Sequence, residues 1–314
     1  VYNFDSYGAN APFYTTGGIM VIQLTILSIL LISTCCVIVM IYKLVRQPQV
    51  RVSTSDFIKL AISGVLAFIS DTIGIGSFAA NIALAKFLGT FQDEELPAVN
   101  NGAQVIPGTF ESLFFMQAIQ VDLTTLLTLV AGTCIGGIIG GNIVTRLSKQ
   151  AIRITMLCCF LLIIALLLCE KLGFMPVGGE LLALHSWKLV FGFFAMIVCG
   201  SLTCAGIGLF ALVQGVLFLM GVSPAIAFPI MTTAGAMQQP MTTLVFLKQG
   251  KIPLKKTFIL SLFGCLGVGI ALPIVSHMST PLLHSLLLLI MLYNFMAIGR
   301  TYLRSRHPTP FLAT

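Results

Sequence analysis

Two short stretches decide the architecture: Asp71-Thr72-Ile73-Gly74-Ile75-Gly76-Ser77-Phe78-Ala79 and Thr203-Cys204-Ala205-Gly206-Ile207-Gly208-Leu209-Phe210-Ala211. Each puts a Gly-x-Gly in the middle of an apolar run, Phe57 to Gly89 in the first case and Leu189 to Gly221 in the second. Glycine disfavours helix interiors and admits turns that other residues resist. Sliding the chain by 132 positions superimposes the two stretches without a gap. The same offset carries Gly89 onto Gly221, Pro97 onto Pro229, Phe114 onto Phe246, Gln117 onto Gln249, Gly132 onto Gly264 and Gly137 onto Gly269. Glycine-rich helices can align by chance, but one constant offset that also holds Pro, Phe and Gln reads as a repeat.

Working outward, the chain divides into residues 1–56 (a polar head, one membrane helix and a basic loop), a first repeat at 57–170, a linker at 171–187, a second repeat at 188–304 and a tail at 305–314. Its 314 residues are 57% hydrophobic and 9% charged, against roughly 25% charged in a soluble domain. So little charge cannot cover a soluble surface, which excludes a cytoplasmic enzyme, a nucleic-acid reader and a disordered scaffold. Seven uninterrupted apolar stretches reach the ~20 residues that a bilayer requires: about 18–42, 97–117, 123–145, 151–169, 225–247, 257–275 and 282–302. The pieces beside each Gly-x-Gly are expected to be ~15 residues, or ~22 Å as helix, too short for a ~30 Å core. The expected fold is therefore an all-α polytopic membrane protein. It has two inverted repeats, each a re-entrant helical hairpin plus three spans, preceded by one extra N-terminal helix.

The basic residues orient this plan, because Lys and Arg concentrate on the cytoplasmic side. With returning hairpins and the N-terminus outside, 15 of the 17 basic residues fall inside, leaving Lys171 and Lys188 outside. If the interrupted stretches cross instead, Lys86, Arg146, Lys149 and Arg153 move outside and the split becomes 13 to 4. The hairpin arrangement is favoured, with the C-terminus cytoplasmic. Three spans per repeat is an odd number, so the second repeat is inverted. Inverted repeats with broken elements are the architecture of secondary transporters, in which two halves of opposite orientation rock around one central site.

The tips carry the chemistry. A helix starting after each Gly-x-Gly aims free N–H groups and its positive dipole end toward mid-membrane, an anion site by construction. Gly74, Gly76, Ser77, Gly206 and Gly208 are the expected tip contacts. The following spans are unusually polar. The first supplies Asn101, Gln104 and Thr109 around Pro107-Gly108, and the second Thr233, Gln238 and Gln239 before Pro240. Proline frees a carbonyl and bends a helix. Two acids, Asp71 and Glu111, lie at depth, where ionisable groups are costly and functional. Glu111 is the first choice for proton coupling and Asp71 the second. A cation carrier using both acids as ligands is the competing reading. A receptor that transports nothing and a membrane-embedded enzyme follow it.

Other signals are weak. The nine Cys lie in apolar runs without a C-x-x-C pair, so they read as buried inert thiols. The His are scattered, with His277 and His284 at span ends, and Trp187 reads as an interfacial anchor. No Walker loop, H-E-x-x-H or G-x-S-x-G occurs. No cofactor, no metal and no catalytic residue is expected. Residues 1–16 lack the basic start of a signal peptide.

These glycine patterns resemble the TauE/SafE family, also called the sulfite exporter or TSUP family. The likeness rests on Gly74-Ile75-Gly76 and Ala205-Gly206-Ile207-Gly208. It rests also on the small-residue helices Gly132-x-x-x-Gly136-Gly137-x-x-Gly140-Gly141 and Gly264-x-x-Gly267-x-Gly269, and on the turn Gly250-Lys251-Ile252-Pro253. It covers about Phe57 to Tyr302. The first tip departs from the family's glycine run at Ser77-Phe78. The resemblance implies a bacterial plasma-membrane carrier, an exporter in the family's sense, for sulfite, sulfonates or related organic anions. Expected partners are a small anionic substrate, protons as coupling ion and the lipid bilayer, with no nucleic acid. The architecture is compatible with a homodimer.

Overall fold

A computed structural model describes residues 16–46, 51–118, 121–174, 179–206, 208–250, 252–274 and 280–306. Ile207, His277 and most of the polar head and tail lie outside them. The described residues form eleven helices: α1 (Thr16–Arg46), α2 (Thr54–Thr72), α3 (Ser77–Leu88), α4 (Leu96–Ala118), α5 (Leu123–Val144), α6 (Lys149–Lys171), α7 (Ser186–Thr203), α8 (Leu209–Leu219), α9 (Pro224–Lys248), α10 (Leu254–Ala271) and α11 (Thr280–Arg306). Local chemistry sets several starts. The Ser53 hydroxyl accepts from the Asp56 amide at 3.0 Å, Asp122 from the Thr125 amide at 2.7 Å and Ser148 from the Ala151 amide at 3.2 Å, each satisfying an orphan N–H of a first turn.

Six helices, α1, α5, α6, α7, α10 and α11, are long and apolar enough to cross a membrane. The protein is accordingly a helical, membrane-embedded body. Two expectations about length change. The arms before the glycines are longer than ~15 residues: α2 has 19 and α7 has 18, because Thr54 and Ser186 begin the helices before the apolar residues do. At 18 residues α7 reaches ~27 Å and counts among the six. The arms after the glycines, α3 and α8, have only 12 and 11 residues. In addition, α4 and α9 are long, at 23 and 25 residues, but too polar to be among the six. They form the centre of the molecule, where neighbouring helices shield their hydroxyls and amides from lipid. Nearly all of α9 from Ile226 to Leu247 is buried. Pro107 and Pro240 lie inside continuous helices.

The helices cross-pack between the halves. α5 packs on α7 and α9, α10 packs on α2 and α4, α4 packs on α9, α6 packs on α11, and α1 covers α4 and α9. Glycine permits two of these contacts to be backbone to backbone. A Cβ on Gly136 would stand 2.1 Å from the Ile197 carbonyl oxygen, and one on Gly140 2.4 Å from that of Ser201. In the other half, Gly64 and Gly267 would each meet a carbonyl of the facing helix at 2.4 Å.

Both interrupted stretches fold back. Lys188, in the first turn of α7, donates to the Met220 carbonyl at the end of α8 at 3.0 Å. The chain just before α7 also bonds to the chain just after α8, through Leu181 N to Gly221 O at 3.0 Å and Ser223 N to Leu181 O at 2.9 Å. At the far end of α3, Asp93 binds Lys86 and Arg153, and Thr90 accepts from Lys256 at 2.9 Å. Lys86, Arg153 and Lys256 therefore sit at one end of the bundle. Apolar side chains such as Leu27, Leu31, Phe191, Phe194, Leu262 and Leu266 stand exposed on outer helix faces.

The nine cysteines are free, as expected, but not uniformly buried: Cys35 and Cys158 are exposed on the apolar exterior. Among the described residues no cluster of His, Cys, Asp and Glu could hold a metal ion. Trp187 is exposed at the start of α7, a position suited to an interfacial ring.

Candidate functional site

The first tip is a tight turn between α2 and α3. Gly74 and Gly76 both take φ +98°, a region that costs other residues strain. This turn brings Asp71, the penultimate residue of α2, back over the start of α3. The Ser77 amide donates to Asp71 Oδ1 at 2.6 Å. The Gln104 side-chain amide on α4 donates to Asp71 Oδ2, and the Ser77 hydroxyl donates to Gln104 Oε1 at 2.5 Å. Asp71, Ser77, Gln104 and Glu111 are all buried. Glu111, two turns along α4 from Gln104, lies within hydrogen-bonding reach of Asp71 and Thr72. Its Oε1 atom is buried without a partner. Six residues singled out in the sequence thus meet around one point: Asp71, Gly74, Gly76, Ser77, Gln104 and Glu111.

The second tip is chemically different. Gly206 takes φ +95°, whereas Gly208 takes φ −54°, so only the first of the pair needs glycine's freedom. The residue 132 positions after Asp71 is Thr203, whose hydroxyl bonds to the Cys199 carbonyl of its own helix at 2.8 Å. Gly208, the residue that opens α8, has no side chain to cap it. Below the tip, the Gln238 amide donates to the Thr242 hydroxyl at 2.7 Å and approaches Cys204 Sγ at 3.8 Å. Gln239 packs against Gly235, and the carbonyl oxygens of Gln238 and Gln239 are both buried without donors.

The two tips meet at the centre. A Cβ on Gly208 would lie 3.8 Å from that of Phe78, and one on Gly206 3.5 Å from Pro97 at the start of α4. Lower down, the Ser112 hydroxyl reaches Thr233 Oγ1 at 3.3 Å and joins α4 to α9. Asn101 is buried beside this line, with its amide nitrogen on the Pro97 carbonyl at 2.8 Å and its Oδ1 unpartnered. Thr109 is the exception. Its hydroxyl bonds to Ser33 on α1 and to the Val105 carbonyl, both at 2.8 Å, so it ties α4 to the extra helix instead of joining the tip cluster.

Some participants were not singled out in the sequence. Asn81 on α3 donates to Asn100 Oδ1 on α4 at 2.5 Å, leaving Asn81 Oδ1 and Asn100 Nδ2 buried and unpartnered. An Asn one turn after Ser77 in an otherwise apolar helix was the available signal. Thr72 and Cys204 join only through the fold. A cavity of about 260 Å³ opens elsewhere, at the basic end, against Glu94, Glu95, Thr145, Lys149 and Phe246. None of the expected site residues lines it. No family model matches the chain, and no curated protein or solved structure matches it.

Proposed function

We propose that the protein is a proton-coupled secondary transporter of a small anion, a sulfur oxyanion, sulfonate or carboxylate, working by alternating access. The observation that carries this reading is the Asp71–Glu111 pair buried at the start of α3. Two buried carboxyls within hydrogen-bonding reach of each other are suited to sharing, binding and releasing a proton. Beside it stand a helix N-terminus and polar central helices, which favour an oxygen-rich anion over an apolar one.

The internal symmetry supports the mechanism. Helix starts recur near the 132-residue offset: Thr54 and Ser186, Ser77 and Leu209, Lys149 and Thr280. Exchanging the halves also exchanges α5 on α7 for α10 on α2, and α5 on α9 for α10 on α4. That is the packing expected of inverted repeats around a central site. The common location of Lys86, Arg153 and Lys256 supports returning hairpins over crossing ones, with this end in the cytoplasm. On this reading the glycine motifs reflect a TauE/SafE-type carrier in a bacterial plasma membrane.

The test is flux into proteoliposomes for sulfite, thiosulfate, methanesulfonate and small carboxylates, with and without a pH gradient. Gradient-driven uptake or efflux of one class is expected, and Glu111→Gln should abolish its pH dependence. Absence of flux for every anion removes the reading. A cation carrier is the second reading, favoured by the unpartnered Glu111 Oε1. It predicts cation binding that tightens at high pH and requires both acids.

A further inference from the structure

The start of α3 is already filled, and by a carboxyl group that belongs to the chain. Asp71 presents its two oxygens to two different donors, Oδ1 to the Ser77 amide at 2.6 Å and Oδ2 to the Gln104 side chain. The Ser77 hydroxyl holds Gln104 in place through Oε1. Two donors converging on two carboxylate oxygens is how a free carboxylate or sulfonate would be held. The start of α8 differs: Thr203 stands where Asp71 would, and its hydroxyl turns back to the Cys199 carbonyl of its own helix.

A purely structural cap would be badly placed here. Glu111 lies against Asp71, and a second acid beside a capping carboxylate weakens it by repulsion unless a proton lies between them. Glu111 is also left with an oxygen that has no donor. Among the described residues no fixed positive charge relieves the pair. Glu111 on α4 is the titratable group facing Asp71, and α3 contributes Ser77. α10, also packed on α2, brings Gly264 and Gly267 against Phe68 and Val65, and its lysines lie in its first turn, at Lys255 and Lys256. The position of one proton therefore decides whether Asp71 carries the charge that binds it to α3.

We propose that Asp71 is a tethered occupant of an oxyanion seat made by the Ser77 amide and the Gln104 side chain, and that a small oxyanion replaces it when the proton shared with Glu111 moves onto Asp71. The ligand class is a monovalent group presenting two oxygens, a carboxylate, sulfonate or hydrogen sulfite. No bond other than that to the proton is made or broken. That transfer leaves Glu111 charged, and Glu111 takes a replacement proton from solvent, so both acids end neutral, the incoming anion carries the one charge that Asp71 gave up, and binding of one anion is coupled to uptake of one proton. This deepens the transport reading and rests on it for the purpose of the exchange.

The test uses the full-length protein in detergent, with sodium formate and sodium methanesulfonate as probes and sodium chloride at equal ionic strength as control. Wild type should bind formate saturably, take up about one proton per formate in weakly buffered solution, and bind more tightly at acid than at neutral pH. Asp71→Ala, with the seat emptied, should bind formate about tenfold or more tightly than wild type at neutral pH, without proton uptake. Asp71→Asn, whose amide oxygen still fills the seat, should gain little. Formate binding by Asp71→Ala alone, with none by wild type, makes Asp71 a structural brace and overturns the proposal. Wild-type binding without proton uptake also overturns it, and this arm needs no variant to fold. Coupled binding without flux in proteoliposomes keeps the seat and removes transport. Flux without coupled binding does the reverse.

Discussion

The Lys256 ammonium donates to the Thr90 carbonyl at 2.9 Å and stands 5.5 Å from the centre of the Phe91 ring. One contact thus joins the first turn of α10, in the second half of the chain, to the loop that closes the first hairpin. It places the end of α3 and the start of α10 at one end of the bundle, which in the proposed orientation is one side of the membrane. Substituting Gln150→Cys and Lys255→Cys in a cysteine-free background should give labelling by a membrane-impermeant maleimide from the same side of oriented vesicles. Labelling from opposite sides would mean that the α2–α3 segment crosses.

Asp93 is the hub of that end. It is 3% exposed and takes both Lys86 and Arg153 Nε, the latter at 2.7 Å. Removing the acid leaves two largely buried bases without their partner. Asp93→Ala should cost about 2–3 kcal/mol, short of the fully buried case because both bases keep some solvent. The measurement is thermal unfolding in detergent. Adding Lys86→Met and Arg153→Met should recover part of the loss, and a further loss instead would contradict the assignment.

Glu94 gives the same end a pH dependence. Partial burial pushes its carboxyl pKa up, but the Lys149 hydrogen bond and charge pull it down further, so it lies below the ordinary value. A lowered carboxyl stabilises the fold above its unfolded pKa, and that stability is lost as pH falls through the folded value. The pair is well exposed on the Lys149 side, so its worth is below about 1 kcal/mol and screened by salt. The unfolding midpoint should fall on acidification below about pH 4 by more in wild type than in Glu94→Gln. Equal acid sensitivity in the two proteins would exclude the pair.

The glycine contacts separate close packing from mere composition. Gly136→Ala would drive a methyl into the Ile197 carbonyl, 2.1 Å away, whereas a Cβ on Gly269 meets nothing within 4 Å. Gly136→Ala should therefore destabilise by about 3 kcal/mol or abolish folding. Gly269→Ala should be neutral or stabilising by up to about 1 kcal/mol, through helix propensity alone. Yield and unfolding midpoint of the two variants test the contrast. Similar behaviour of both would show that α5 and α7 do not approach as closely as this.

Much was legible in the chain, for reasons that are local or compositional. Scarce charge meant a membrane body, since apolar surface needs lipid or protein around it. The two Gly-x-Gly stretches located both turns, because a left-handed backbone at Gly74, Gly76 and Gly206 is a demand of single residues. Asp71 and Glu111 stood out because a charge at depth is rare whatever surrounds it. What the chain could not reveal depends on neighbours distant in sequence. Thr109 and Gln104 are both polar residues of one helix, yet Thr109 turns to Ser33 on α1 and Gln104 to Asp71 on α2, a difference set by which helix packs on which face. The lengths of α2 and α7 followed from polar starts that apolar run length ignores. The meeting of Asp71 and Glu111, 40 positions apart, came only from the turn that lays α3 against α4. Periodicity and composition are properties of a segment, whereas a site is a relation between segments, and tertiary packing decides it.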